Sequence, residues 1–182
     1  MRALVTGALD PADATSRELL RRCALVDDEP FRCWGRVARA RLEEARHELG
    51  AAVVECTAAV ASARRLGLAH YLSLALAETG RIAALAGDVA HAEAASAEAV
   101  DTAEQAGAGW FAASARAALA DVRRTLGDRS GADALLRQVV EWSAGPVAGA
   151  GRATFFRRLG GDPVAAAAAR LITPAGAQPV RR

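Results

Sequence analysis

Lysine and asparagine are absent from this chain of 182 residues, isoleucine occurs only at Ile82 and Ile172, and aromatic residues make up 4%. So few isoleucines and aromatics exclude a β-rich fold, which draws its strands from β-branched and aromatic side chains. Lysine and asparagine have AT-rich codons, so their absence points to a GC-rich genome and explains much of the arginine. Arginine abundance is therefore weak evidence for nucleic-acid binding. Three cysteines, Cys23, Cys33 and Cys56, form no CxxC spacing and leave one over, which excludes a disulfide framework or a zinc ribbon. No apolar run reaches the roughly 18–20 residues of a membrane span, and no secretory h-region opens the chain. A reducing cytoplasm is the expected location, with no membrane partner.

What remains is dominated by alanine, 48 residues of it, with 16 glycines and 23 arginines. Alanine loses no side-chain entropy in a helix and lets helix axes approach, so the composition predicts closely packed helices in one globular unit. Net charge is +2 and both halves are balanced. Locally, 88–106 holds five acids and no arginine, whereas 152–182 holds six arginines against Asp162. The C-terminal end is the only mildly basic surface.

The glycines disclose a repeat. Gly87-Asp88 and Gly127-Asp128 lie forty residues apart, as do Gly67 and Gly107, and stepping back by forty lands on His47 and then Gly7. Other columns keep this register: Phe31, Tyr71 and Phe111; Gly35, Ala75 and Ala115; Ala40, Gly80 and Ala120; Leu42, Ile82 and Val122. The second half of the unit repeats Ala12, Ala52, Ala92 and Ala132; Leu19, Ala59, Ala99 and Val139; and Leu20, Val60, Val100 and Val140. Glycine stops each helix, aspartate caps the next, and Asp10-Pro11 and Asp162-Pro163 pair a cap with proline at the first helical position. Helices are predicted over 9–26, 30–48, 50–66, 69–86, 88–106, 109–126 and 129–143. A weaker pair follows over 147–159 and 163–171, then a disordered tail over 173–182.

Short connections make consecutive helices antiparallel hairpins. The repeats fall at about 28–67, 68–107 and 108–146, with a degenerate unit over 147–172, so the repeat domain spans 1–172. Its first helix occupies the second-helix register, and the array starts half a repeat in. Either the chain is a fragment or remnant of a longer array, which is preferred, or its first helix is covered by a second subunit in a homodimer.

The third unit, Leu76-x3-Gly80-x2-Ala83-x3-Gly87-Asp88-Val89-x2-Ala92-x6-Ala99, resembles the tetratricopeptide repeat. Gly80, Gly87, Ala92 and Ala99 fall on that family's small positions. Leu76 stands in place of its Trp, Ala83 of its first Tyr and Ser96 of its Phe. The fourth unit keeps Gly127, Ala132 and Leu136 but carries Arg116 and Arg123 at large apolar positions. A unit of forty residues resembles the divergent arrays of large bacterial transcriptional activators of the MalT/LuxR and antibiotic-regulatory (SARP) types, notably actinobacterial ones. Val139-Val140-Glu141-Trp142 and the stretch from Arg152 through Phe155-Phe156-Arg157-Arg158 to Pro163 are similar to their closing segment. The resemblance implies an all-α, right-handed superhelical stack of antiparallel helical hairpins, a TPR-like α-solenoid. It further implies a protein or peptide partner, or other domains of a larger regulator, and it carries no catalytic residue across.

The remaining motifs have plainer readings. Met1 to Ala8 looks like the first strand and turn of a short-chain dehydrogenase, but Pro11 and Asp13 stand where its further glycines must be. His47, His70 and His91 lack metal-ligand spacing and read as isolated surface residues. Cys23 shares a column with Ala63 and Ala103, and Cys56 with Ser16 and Ser96, so both read as small packing residues. Phe155-Phe156 beside Arg157-Arg158 reads as a terminal capping helix.

Arg41, Arg81 and Asp121 form a charged column at the tetratricopeptide position that usually lines the concave groove. With Trp34 and Arg36 they are the candidate partner-binding residues, Arg41 and Arg81 attracting an acidic peptide or carboxylate. The plain alternative is a surface ion pair between Arg81 and Asp121. Arg36, Arg39 and Arg116 form a second face, read as solvated charge although the repeat would bury those positions. The expected function is a non-enzymatic interaction module without cofactors, metals or direct nucleic-acid contact. The alternative is a small-molecule sensor or an enzyme using a groove between helices.

Overall fold

Alanine-rich segments punctuated every twentieth residue fold as helices separated by one recurring turn. A computed structural model describes the backbone of residues 2–144 and the side chains of residues 11 and 13–142. Among the described residues there are seven helices and no strand: α1 (Arg2–Leu25), α2 (Glu29–Ala45), α3 (Leu49–Arg65), α4 (Ala69–Ala86), α5 (Val89–Gln105), α6 (Gly109–Thr125) and α7 (Arg129–Ala144). The helices expected over 147–159 and 163–171, the tail over 173–182 and the Phe155-Phe156 segment lie outside the described residues. Each helix packs on the next, and α4 also touches both α2 and α6.

The turns give the architecture its period. At all six junctions the chain passes through one left-handed residue: Asp27 (φ 53°), His47 (66°), Gly67 (65°), Gly87 (81°), Gly107 (64°) and Gly127 (91°). The following N–H donates to the carbonyl five residues back in every case, from Asp28 to Cys23, Glu48 to Glu43, Leu68 to Ala63, Asp88 to Ala83, Ala108 to Ala103 and Asp128 to Arg123, at 2.8–3.0 Å. This Schellman closure satisfies carbonyls that the helix end would leave open. The next residue then makes an inverse γ-turn, with φ between −84° and −95° and ψ between 62° and 82° at the first five junctions. Three junctions add a carboxylate cap: Asp28 accepts from the Phe31 N–H at 3.1 Å, Asp88 from His91 at 3.1 Å and Asp128 from Gly131 at 2.9 Å. The backbone thus repeats every twenty residues, and the forty-residue register of the side chains is two such units.

The start of the chain departs from expectation. Pro11 lies inside α1, which runs from Arg2, so Asp10 does not cap a helix and Gly7 is not a junction. Proline removes one backbone donor without turning the chain, and an Asp-Pro pair in mid-helix reads in sequence like one at a helix start. Beyond it Thr15 Oγ1 donates to the Pro11 carbonyl at 2.8 Å within the helix, and the buried Asp13 ties α1 to α2 through Arg39.

The repeat columns are the core. Ala40, Ala52, Ala59, Ala63, Ala75, Ala92, Ala99, Ala103, Ala120 and Ala132 are fully buried, with Leu42, Ile82 and Val122 beside them. The core is a series of small clusters that each join consecutive helices, such as Ala40, Ala52, Cys56 and Ile82 across α2, α3 and α4. A cluster of Leu76, Ala77, Ala95, Ala99 and Ala115 does the same across α4, α5 and α6. Even a polar contact repeats: Cys33 Sγ donates to the Ala59 carbonyl at 3.5 Å, and forty residues on Ser73 Oγ donates to the Ala99 carbonyl at 2.8 Å. The aromatic column lies at the edge of this core: Phe31 is exposed, Phe111 is half-buried, and half-buried Tyr71 packs against the cluster of Cys33, Val37, Ala59, Ala63 and Ala75.

Candidate functional site

Arg41 and Arg81 belong to successive even-numbered helices, and the contact between α2 and α4 brings them onto one acid. Glu78 of α4, 2% exposed, accepts from Arg41 Nε at 3.0 Å and from Arg81 one turn further along its own helix. Arg81 also grips Glu44 of α2 with both terminal nitrogens, one of them at 2.6 Å. Two arginines and two glutamates thereby close a neutral rung between α2 and α4. Arg81's hydrogen bond holds the Glu44 carboxyl below the usual carboxylate range, against the opposing effect of burial. Burial opposes the charge on Arg81, yet its bonds to Glu44 and Glu78 raise its pKa, so it is permanently cationic.

Arg81 therefore holds α2 to α4, and the acids it binds belong to this chain. Arg41 differs, since its side chain remains 60% exposed. Asp121 follows on α6, half-buried, and Trp34 is half-buried on α2. Arg36 belongs to a different place: it turns toward α3 and donates to Glu55 at 3.0 Å. Arg41 and Arg81 thus belong to the α2–α4 rung and Arg36 to the groove between α2 and α3, while Trp34 and Asp121 belong to neither.

That groove has a volume of about 420 Å³ and is lined by Glu29, Arg32 and Arg36 from α2 and by Ala58, Ala61, Ser62 and Arg65 from α3. Glu29 accepts from Ser62 Oγ at 2.6 Å and from Arg32, and lies 3.6 Å from Arg65. The Ser62 hydrogen bond is the main reason its carboxyl stays below the ordinary range.

A third cluster ties α1 to α2. Buried Asp13 accepts from Arg17 at 2.5 Å, meets Arg46 at 3.1 Å and is also bound by Arg39, which reaches Glu43 at 2.5 Å. Arg39 and Arg116 are part-buried in ion pairs, Arg116 with Glu104, where solvated charge was expected. Glu78, Glu44, Asp13, Arg32 and Arg65 were missed from sequence because repeat columns disclose small and apolar positions, not the acids that neutralise a neighbour. The one usable signal was a carboxylate in a column of alanines: Glu78 falls between Ala38 and Ala118.

The cysteine and histidine side chains take no part in these clusters of ion pairs. Cys23, Cys33 and Cys56 are free and buried, and burial pushes the Cys33 thiol up to about 11 and Cys56 to about 12. Little of the Cys33 or Cys56 thiol ionises near neutrality. His47, His70 and His91 are exposed, and His70 sits edge-on to Phe111 with ring centroids 5.0 Å apart. No helix among the described residues is long and apolar enough to cross a membrane. Compared with known proteins, the chain matches no protein-family model and no curated sequence.

Proposed function

We propose that the chain is a right-handed, tetratricopeptide-like solenoid that acts as a non-catalytic interaction module, a part or relative of a bacterial transcriptional regulator. The observation that carries this reading is the junction, which recurs with one geometry every twenty residues. Identical turns between helices of near-equal length generate a repeating array, whose neighbours supply each other's core. The contacts of α4 with α2 and α6 support a reading in which the even-numbered helices, which carry Trp34, Arg41, Arg81 and Asp121, form its inner layer. In this layer the rung fixes α2 against α4, and the partly free guanidinium of Arg41 is the group that meets an anionic partner segment. Rigid packing in alanine columns presents this face without rearrangement, so recognition costs little conformational entropy.

Site-specific photo-crosslinking in the producing cell tests the reading. A photoreactive residue at position 121 should give an adduct with one protein, and the same residue at the exposed positions 57 or 97 on α3 and α5 should not give that adduct. Arg41→Glu should reduce that adduct several-fold. Equal labelling from both sides, or turnover of a substrate by the purified chain, would overturn the proposal. Arg81→Glu is unsuitable here, because it would set a second negative charge against buried Glu78.

A further inference from the structure

Val53 and Ala61 of α3 interrupt two columns that are otherwise charged. In the other odd-numbered helices the place of Val53 is taken by Asp13, Glu93 and Asp133, and that of Ala61 by Arg21, Asp101 and Glu141. Thr57, midway between them, stands in a column with Arg17 and Arg137. With Gly50 and Val54 these residues lie within one arc of α3, because helical positions three and four apart share a face. All are exposed, Val53 by 46% and Val54 by 65%. A Cβ added at Gly50 would meet nothing, and its φ is not left-handed, so the fold gives no reason for a glycine there.

Charge is confined to the two ends of this face and is of opposite sign there. Glu48, at the N-terminal end, is exposed, caps no N–H and makes no ion pair among the described residues. Arg65, at the C-terminal end, is 64% exposed and lies 3.6 Å from Glu29, which Ser62 and Arg32 already bind. Arg64 beside it is taken by Glu98 of α5 at 2.5 Å. The next odd-numbered helix is different: α5 has Asp88 and Glu104 at the corresponding ends, acids at both, and would repel a second copy of itself.

The geometry points to a second copy of this chain as the occupant of this face, with the two α3 helices antiparallel about a two-fold axis that passes beside Thr57. Such an interface must match itself, residue i meeting j as j meets i. Antiparallel order sets Val53 of each copy over Ala61 of the other and brings Arg65 of each to Glu48 of the other, so two ion pairs flank an uncharged centre. Gly50 and Ala61 let the helix axes approach, and the row of residues four apart, Val53, Thr57, Ala61 and Arg65, sets a crossing of about 50°. The face is small, so the dimer is weak and reversible. None of these residues belongs to the α2–α4 rung or to α1, the helix that the sequence assigned to a second subunit.

Sedimentation equilibrium of the chain over a concentration series at low salt provides the test, and a monomer–dimer equilibrium is expected. Thr57→Arg gives α3 the residue that α1 and α7 carry in that column, so it should leave Tm unchanged. It should weaken the dimer about tenfold or more, because it sets two cations together at the axis. A bulky spin label at position 57 would obstruct the axis in the same way and leave the labelled chain monomeric. Glu48→Arg and Arg65→Glu should each weaken self-association. Mixed together, those two variants should associate as tightly as the unaltered chain, since opposite charges then meet at both ends. A chain monomeric throughout the series, a dimer indifferent to Thr57→Arg, or a mixture no tighter than either variant alone would overturn the inference.

Discussion

Six left-handed residues set the period of this molecule, and two of them are not glycine. Asp27 and His47 adopt φ of 53° and 66°, a region in which Cβ crowds the backbone. Aspartate and histidine are among the side chains better tolerated there, but glycine avoids the strain altogether. His47→Gly should therefore raise stability by about 1 kcal/mol, and Gly87→Ala should lower it by about as much. Chemical denaturation reads both, and no gain in His47→Gly would contradict the turn geometry at α2–α3. The same two residues explain why the twenty-residue step of the turns is plain in the sequence only from Gly67 onward. Gly67, Gly87, Gly107 and Gly127 advertise their conformation, whereas Asp27 advertises none and His47 only falls in register.

Between helices, spacing is decided by the smallest side chains. A Cβ added at Gly80 would run into Ser96 Oγ and approach the Ala92 carbonyl of α5 to 2.9 Å, so α4 and α5 cross backbone against backbone there. A Cβ at Gly35 would meet the Leu20 side chain, also at 2.9 Å, but at a flexible methyl end. Gly80→Ala is thus expected to cost about 2 kcal/mol despite alanine's better helix propensity. Gly35→Ala, in a column that already holds Ala75 and Ala115, should fall within about 1 kcal/mol of the unaltered chain because propensity offsets the contact. Thermal melts of both variants separate the two cases, and an equally mild effect at Gly80 would refute the close crossing. From α2 onward helix boundaries were legible to within a few residues, because turn glycines and buried alanines share one register. Proline was misread at α1, since Asp10-Pro11 fits a helix start and a mid-helix position alike.

At the scale of the molecule, the core of the described residues is a series of small clusters, each joining consecutive helices, and ion pairs within and between helices settle charge. The pattern of apolar columns made this core legible from sequence. The candidate site was legible only in part: Arg41 and Arg81 do converge, but on buried Glu78, while Arg36 joins Arg32 and Arg65 in another groove. Side-chain partners across helices depend on packing that repeat columns do not encode. The central claim is that the helices extend as an open array with α2, α4 and α6 as its inner layer. Paired spin labels test it most directly, placed at the exposed positions of Thr57→Cys, Ala97→Cys and Arg137→Cys on α3, α5 and α7. In a stack, the 57–137 distance should be roughly twice the 57–97 distance, because each repeat adds a similar step. A 57–137 distance equal to or shorter than the 57–97 distance would mean a closed bundle without a continuous inner face, and would contradict the account.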